Sequence, residues 1–414
     1  MRRAIFGLRI LPLLAIFGPG LINASSDNDA GGITTYSLAG ARFGYSLLWV
    51  LIPVTISLAV TAEMGARMGA VTGKGLGAVI RERFGARWAA MAIFVMLIAN
   101  FGTTTAEFAG ISTSLGIFGL SRFISVPIAA LAVWFLIIRF DYRQVQRVFL
   151  ISSVIYFTYV ASGFLAHPNW SEVGRSVVHP NIPITAGYLI MMVAVIGTTI
   201  TPWGQFFIQS YTADKRAKPE DLPFLRADVY IGAVFVSFIA FFIIVACAAT
   251  IWKTNLQIND AADAFRALQP LAGRFAATLF GFGLLNASLL GAAILPLTSA
   301  YATCETFGWE AGIDKKPGEA PIFFGLFTFF IAASSLIVLI PHLPLLQIIF
   351  MPQVLNGMLL PIILVFVLKI STDPTFMGKH VNTRLFNGIA VVTAVVLVIL
   401  TILLLALPLI ERLS

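Results

Sequence analysis

The sequence predicts an all-α integral membrane protein of about eleven transmembrane helices, the first and sixth of them broken. Three observations predict it. The 414 residues are 58% hydrophobic and only 11% charged, with a mean hydropathy of +0.92, which is more apolar length than a soluble core can bury. That length divides into segments near the ~20 residues a bilayer requires. Two of the segments collapse into polar, helix-breaking sequence at the depth where polar groups cost most.

In chain order the predicted spans are about 11–43, 46–69, 87–116, 122–140, 146–166, 185–211, 225–252, 273–305, 321–340, 343–369 and 385–410. Met1-Arg2-Arg3 leads into a first span without a small-residue cleavage site, so that span is expected to be retained. Its middle reads Ser25-Ser26-Asp27-Asn28-Asp29-Ala30-Gly31-Gly32. Ser, Asn and Asp compete for backbone hydrogen bonds and Gly adds backbone freedom, so helix propensity is lowest there. A carboxylate at the bilayer centre costs roughly 2.5–3.5 kcal/mol on insertion scales. Non-helical backbone at that depth is tolerated only inside protein or along a wet cavity. Asp27 and Asp29 beside freed carbonyls therefore describe a cation site.

The sixth span carries the second interruption, Ile196-Gly197-Thr198-Thr199-Ile200-Thr201-Pro202-Trp203-Gly204-Gln205. Pro202 donates no hydrogen bond and crowds the carbonyl four residues earlier, that of Thr198, beside threonine hydroxyls. Five spans separate the two breaks. Because five is odd, a repeat of spans one to five onto six to ten is inverted across the membrane, and matching breaks in such halves point to a transport site at the midplane. The expected organisation is a single transmembrane domain over 1–414, with repeat one at about 11–166, repeat two at about 185–370 and an extra helix at about 385–410.

Other intramembrane polar residues are few. Glu63 precedes Arg67 by one helical turn and is read as a structural ion pair. Glu107 shows no sequence partner; a role linked to protons and a buried, hydrogen-bonded carboxyl both remain open. Gln347, Gln353 and Asn356 in the tenth span could offer a neutral oxygen to a cation or bond across helices. His167, His179, His342 and His380 all fall in predicted loops. Cys247 and Cys304 lack any metal-binding spacing and read as packing residues.

The basic residues settle topology and exclude nucleic acid. Alternating the loops from a cytoplasmic N-terminus leaves only Arg42, Arg122, Arg175, Lys253, Arg266, Arg274 and Arg412 on the far side. This asymmetry places the N-terminus in the cytoplasm and the C-terminus outside, in a multi-pass protein of the cell membrane. The cations are spread over short loops rather than gathered in one patch, so the lipid bilayer, not nucleic acid, is the expected partner. No enzyme signature is present: Gly73-Lys74-Gly75-Leu76-Gly77 is too short and misplaced for a phosphate loop and reads as a helix end.

Gly18-Pro19-Gly20, Phe43-Gly44-Tyr45-Ser46-Leu47-Leu48-Trp49 and Arg81-Glu82-Arg83-Phe84 resemble the natural resistance-associated macrophage proteins, over about residues 11–370. The resemblance implies a LeuT-like inverted repeat of 5+5 helices and a divalent metal ion as transported substrate. The family's Asp-Pro-Gly-Asn falls on Asp29-Ala30-Gly31-Gly32, which keeps the aspartate and replaces the asparagine ligand by Gly32. Its Met-Pro-His falls on Thr201-Pro202-Trp203, so the sulfur ligand becomes Thr201 and the histidine Trp203. Its carbonyl ligands fall on Ser26 and Thr198. A proton-linked aspartate becomes Thr104 while its companion persists as Glu107, and the arginines of the ninth helix have no counterpart.

These departures agree physically. A thioether ligand favours Mn²⁺ and Fe²⁺ over hard alkaline-earth ions, and a hydroxyl removes that bias. Mg²⁺ wants octahedral oxygen and sheds water reluctantly, which calls for the space that Gly32 releases. The pattern is similar to the Nramp-related magnesium transporters. The expected metal residues are Asp29, Asp27, Ser26, Gly32, Thr198, Thr201 and Gln353. The expected function is secondary import of Mg²⁺, and also Mn²⁺, as a partly hydrated ion by a monomer without proton coupling or any resident cofactor. The alternatives are a proton-coupled Mn²⁺/Fe²⁺ transporter and a non-transporting metal sensor on the same scaffold.

Overall fold

The computed structural model describes residues 27–139, 151, 153–183, 185–254, 261–313 and 315–411. The helices in order are α1 (Ala30–Phe43), α2 (Leu51–Thr72), α3 (Leu76–Phe84), α4 (Ala86–Ile117), α5 (Arg122–Arg139), α6 (Phe157–Leu165) and α7 (Trp170–Val178). They continue with α8 (Ala186–Thr199), α9 (Pro202–Asp214), α10 (Leu222–Thr250), α11 (Ala261–Phe307), α12 (Pro321–Val338), α13 (Leu345–Ser371), α14 (Pro374–Met377) and α15 (Arg384–Glu411). Among the described residues nine stretches are long and apolar enough to cross a membrane. They match the second to fourth and sixth to eleventh predicted spans. The first and fifth predicted spans lie partly outside the described residues.

Both predicted breaks are present. Asp27 is helical, Asn28 and Asp29 form a bend, and α1 starts at Ala30. The sixth span divides into α8 and α9, with Ile200 and Thr201 extended between them. A helix of 14 residues such as α1 or α8 is about 21 Å long, well short of the ~30 Å hydrocarbon layer. Each half-helix therefore ends inside the bundle. Pro202 does not kink a continuous helix, as a proline in a helix interior would; it occupies the first turn of α9, where its missing N–H has no intrahelical partner to lose. The hydroxyl of Thr201 accepts from the Gly204 N–H at 3.1 Å and caps the new helix, a contact of about 1 kcal/mol. The actual break thus lies at Ile200, one residue before the cap.

The broken pair sits at the centre. The window over α8 and α9 is 78% buried, whereas that of α15 is 22% buried, which makes the last helix a peripheral element. α1 packs on α10, α8 on α13, α9 on α2, and the long α4 spans the opposite side against α11 and α13. α8 and α13 approach to backbone contact: a Cβ on Gly197 would lie 2.2 Å from the Gly357 nitrogen and 2.3 Å from the Gln353 carbonyl oxygen. Small residues permit such crossings, and this one brings Gln353 against the breaks. Gly73, at φ 63°, ends α2 in the left-handed conformation, as the glycine-rich sequence predicts. The Glu63–Arg67 pair is also present, at 3.1 Å.

Candidate metal centre at the paired helix breaks

Asp29 is first of all a helix cap. Its Oδ1 accepts from the Gly32 N–H at 2.6 Å, and the Ala30 N–H donates to Glu107 Oε2 at 3.1 Å. Two carboxylates thus meet the positive end of α1, where the helix dipole and unpaired N–H groups favour anions. Both carboxyl groups cap N–H groups of the same helix start, so the glutamate that lacks any visible partner in sequence belongs to this cluster. The Asp27 side chain lies near that of Thr201 across the two breaks. Asp27, Asp29 and Glu107 are all almost completely buried.

Gly32 is where the oxygens converge. A Cβ there would meet the Asp27 carbonyl oxygen at 2.8 Å, Asp29 Oδ1 at 3.4 Å and Thr198 Oγ1 at 3.4 Å. The space left by the absent side chain is therefore filled by oxygen atoms of both breaks. This corrects the expectation of a roomier cavity at Gly32: the space is taken up by the Asp27 backbone and the Thr198 hydroxyl, which the glycine lets close in. A second tie between the halves runs from Tyr36 on α1 to Thr199 on α8, oxygen to oxygen at 2.8 Å.

Gln353 presses on the first turn of α1, its Nε2 lying 1.8 Å from the position a Cβ of Gly31 would take. Its Oε1 accepts from Asn356 Nδ2 at 3.1 Å, and Asn356 also donates to Thr103 on α4 at 3.2 Å. As placed, Gln353 turns its amide nitrogen toward α1 and its oxygen away, so offering the oxygen to a cation would take a half-turn of the amide. The structure thus gathers Asp27, Asp29, Gly32, Thr198, Thr201 and Gln353 in one place. Ser26 lies outside the described residues.

One residue goes beyond the sequence reading. Asn28 is fully buried between the two aspartates, and neither its Oδ1 nor its Nδ2 has a hydrogen-bond partner. Thr198 Oγ1, Gln353 Nε2 and Glu107 Oε1 are likewise unpartnered. A buried polar atom without a partner costs about 1–3 kcal/mol, so several in one place mark a site completed by water or ligand. The polarity of Asn28 within an apolar span was the signal for it. Among the described residues no three His, Cys, Asp or Glu side chains gather to hold a metal ion by themselves. Any ion here is shared with carbonyls, hydroxyls and water. Residues 27–32 and 196–205 contain no Met, Cys or His. Trp203 is fully buried, with its ring 6.1 Å from that of Phe207.

The sequence matches the natural resistance-associated macrophage protein-like family over residues 20–407. The chain belongs to the Nramp family. Among curated Nramp relatives, the divalent metal cation transporter MntH of Yersinia pestis (strain Pestoides F) is 26% identical over 90% of both chains. The protein of the same name from Erwinia tasmaniensis is 27% identical over 93% of this chain and 92% of its own. These relatives are transporters, not enzymes. Among solved structures, the Eremococcus coleocola manganese transporter superposes with a TM-score of 0.79 at 20% identity, covering 96% of this chain and 87% of that one. MhsT, solved in complex with L-phenylalanine, superposes with a TM-score of 0.60 at 13% identity, over 98% of this chain and 99% of its own. The fold is therefore the Nramp form of the broken-helix transporter architecture.

Proposed function

We propose that this Nramp protein imports Mg²⁺, and also Mn²⁺, as a partly hydrated ion, by alternating access around the paired breaks and without proton coupling. The relatives named as divalent metal cation transporters support the ion class. One observation carries the choice of ion: the oxygens of Asp27, Asp29 and Thr198 converge at Gly32, while both breaks lack sulfur and imidazole. An oxygen-only set suits a hard cation, and a thioether would favour the softer transition metals. The unpartnered amide of Asn28 and hydroxyl of Thr198 are suited to hold the ion's own waters, which Mg²⁺ gives up reluctantly. The membrane potential supplies about 2.3 kcal/mol per charge per 100 mV, twice that for a divalent ion, so uptake needs no second ion. Inverted halves at about 11–166 and 185–370 would rock around the site. One chain carries both breaks, so a monomer suffices, with its N-terminus in the cytoplasm and its C-terminus outside.

The Asp29–Glu107 contact favours a second reading, proton-coupled transport of Mn²⁺ or Fe²⁺. Purified protein in liposomes containing a Mg²⁺-sensitive dye and, separately, a pH-sensitive dye distinguishes the two. The proposal expects Mg²⁺ influx without acidification, lost in Asp29→Asn. Acidification in step with metal influx would refute it.

A further inference from the structure

Away from the helix breaks, a cavity of about 350 Å³ opens among Glu63, Arg67, Arg226, Lys379, His380 and Thr383, between α2, the start of α10 and the segment leading into α15. Its single carboxylate is already occupied. Arg67 Nε lies 3.1 Å from both oxygens of Glu63, and Arg226 Nε lies 2.9 Å from Oε1. The remaining Arg67 nitrogens donate to the His380 carbonyl and to Asn382 Oδ1, so every nitrogen of Arg67 is engaged by the fold. Arg226 uses only its Nε in this network and is half-exposed. Among the described residues Lys379 forms no ion pair. The cavity thus has one neutralised pair as its floor and two cations, Arg226 and Lys379, with donors to spare.

We infer that this cavity is a binding site for the phosphate of an anionic lipid headgroup. The volume lies in the range of ligand sites, and a guanidinium beside an ammonium suits phosphate, the first through paired donors and the second as a point charge. The source is lipid because apolar side chains flank the basic residues: Ile231 and Val234 follow Arg226 on α10, Leu385 follows the cavity on α15, and all three are exposed. Such surface faces hydrocarbon and would lie along acyl chains while the headgroup enters the cavity. Basic pockets between membrane helices are a recognised way to hold anionic headgroups. Glu63 does not repel the phosphate, since two arginines hold it.

The test follows thermal unfolding of the purified full chain in neutral detergent during titration with phosphatidylglycerol, with phosphatidylcholine or with inorganic phosphate. Phosphatidylglycerol is expected to raise the melting temperature and phosphatidylcholine to leave it unchanged. Lys379→Gln, which removes neither ion pair of Glu63, is expected to weaken the phosphatidylglycerol response about fivefold, the worth of one cation near an anionic group. Lys316→Gln, outside the cavity, should leave the response intact. An equal response to both lipids, or an unaltered response in Lys379→Gln, overturns the site. Inorganic phosphate reproducing the full shift at the same concentration overturns the assignment to lipid.

Discussion

Gly32→Ala is the sharpest perturbation of the proposed metal centre. The added methyl carbon would stand 2.8 Å from the Asp27 carbonyl oxygen, and contacts under 3.0 Å are essentially never found for a Cβ. The obstacle is backbone, so no flexible side chain can swing aside. Asp27 must retreat by at least ~0.2 Å, as much as the tolerance of a metal–oxygen distance. Asp29 Oδ1 and Thr198 Oγ1, both at 3.4 Å, stay at ordinary contact. The expected result is a loss of Mg²⁺ affinity of about 10–100-fold, the scale on which disturbed support of a metal ligand is felt. Stability should change little, because Ala in a helix gains up to ~1 kcal/mol over Gly, which offsets part of the strain. Calorimetric titration of Mg²⁺ into purified protein, with thermal unfolding alongside, measures both. In Gly31→Ala the obstacle is the Gln353 side chain rather than backbone, so affinity should fall less than in Gly32→Ala. Wild-type Mg²⁺ affinity in Gly32→Ala would refute the claim that oxygens gathered at Gly32 bind the ion.

Four further outcomes follow from the same geometry. Asp29→Asn keeps a good helix cap, so its melting temperature should stay near that of the wild type while Mg²⁺ flux in liposomes is lost. Asn28→Ala removes two buried unpartnered atoms and should be neutral or stabilising by up to about 1–2 kcal/mol in denaturant unfolding, yet should lower Mg²⁺ flux; unchanged flux would remove Asn28 from the site. Thr201→Met, without a second change at Gly32, should shift the Mg²⁺ to Mn²⁺ flux ratio toward Mn²⁺ and cost about 1 kcal/mol through the lost α9 cap. Glu107→Gln keeps an acceptor for the Ala30 N–H and should leave the pH dependence of uptake unchanged; a flattened pH profile would favour the proton-coupled reading.

The breaks were legible because membrane depth makes polar sequence costly: Asp27, Asn28 and Asp29 in an apolar span are tolerated only where the helix opens onto a polar site. Pro202 marked the second break, but sequence alone set its ring against the Thr198 carbonyl, as if inside a helix. The difference is one of capping, since the Thr201 hydroxyl starts a new helix and leaves Ile200 extended, a choice that hydropathy does not register. Gly32 read as a deleted side chain, whereas its true consequence, the approach of Asp27 and Thr198, depends on how the two broken spans meet. The partners of Glu107 were out of reach for the same reason. They lie at the start of α1, Ala30 being 77 residues away, and no local pattern records that distance.

Competition between the two ions bears most directly on the claim that oxygen alone, at two broken helices, selects a hard and still hydrated cation. Mn²⁺ uptake into liposomes holding the purified protein is followed while external Mg²⁺ is raised to large excess. Mg²⁺ is expected to suppress Mn²⁺ uptake and to be carried inward itself. Mn²⁺ uptake that proceeds undiminished under excess Mg²⁺ would contradict that claim.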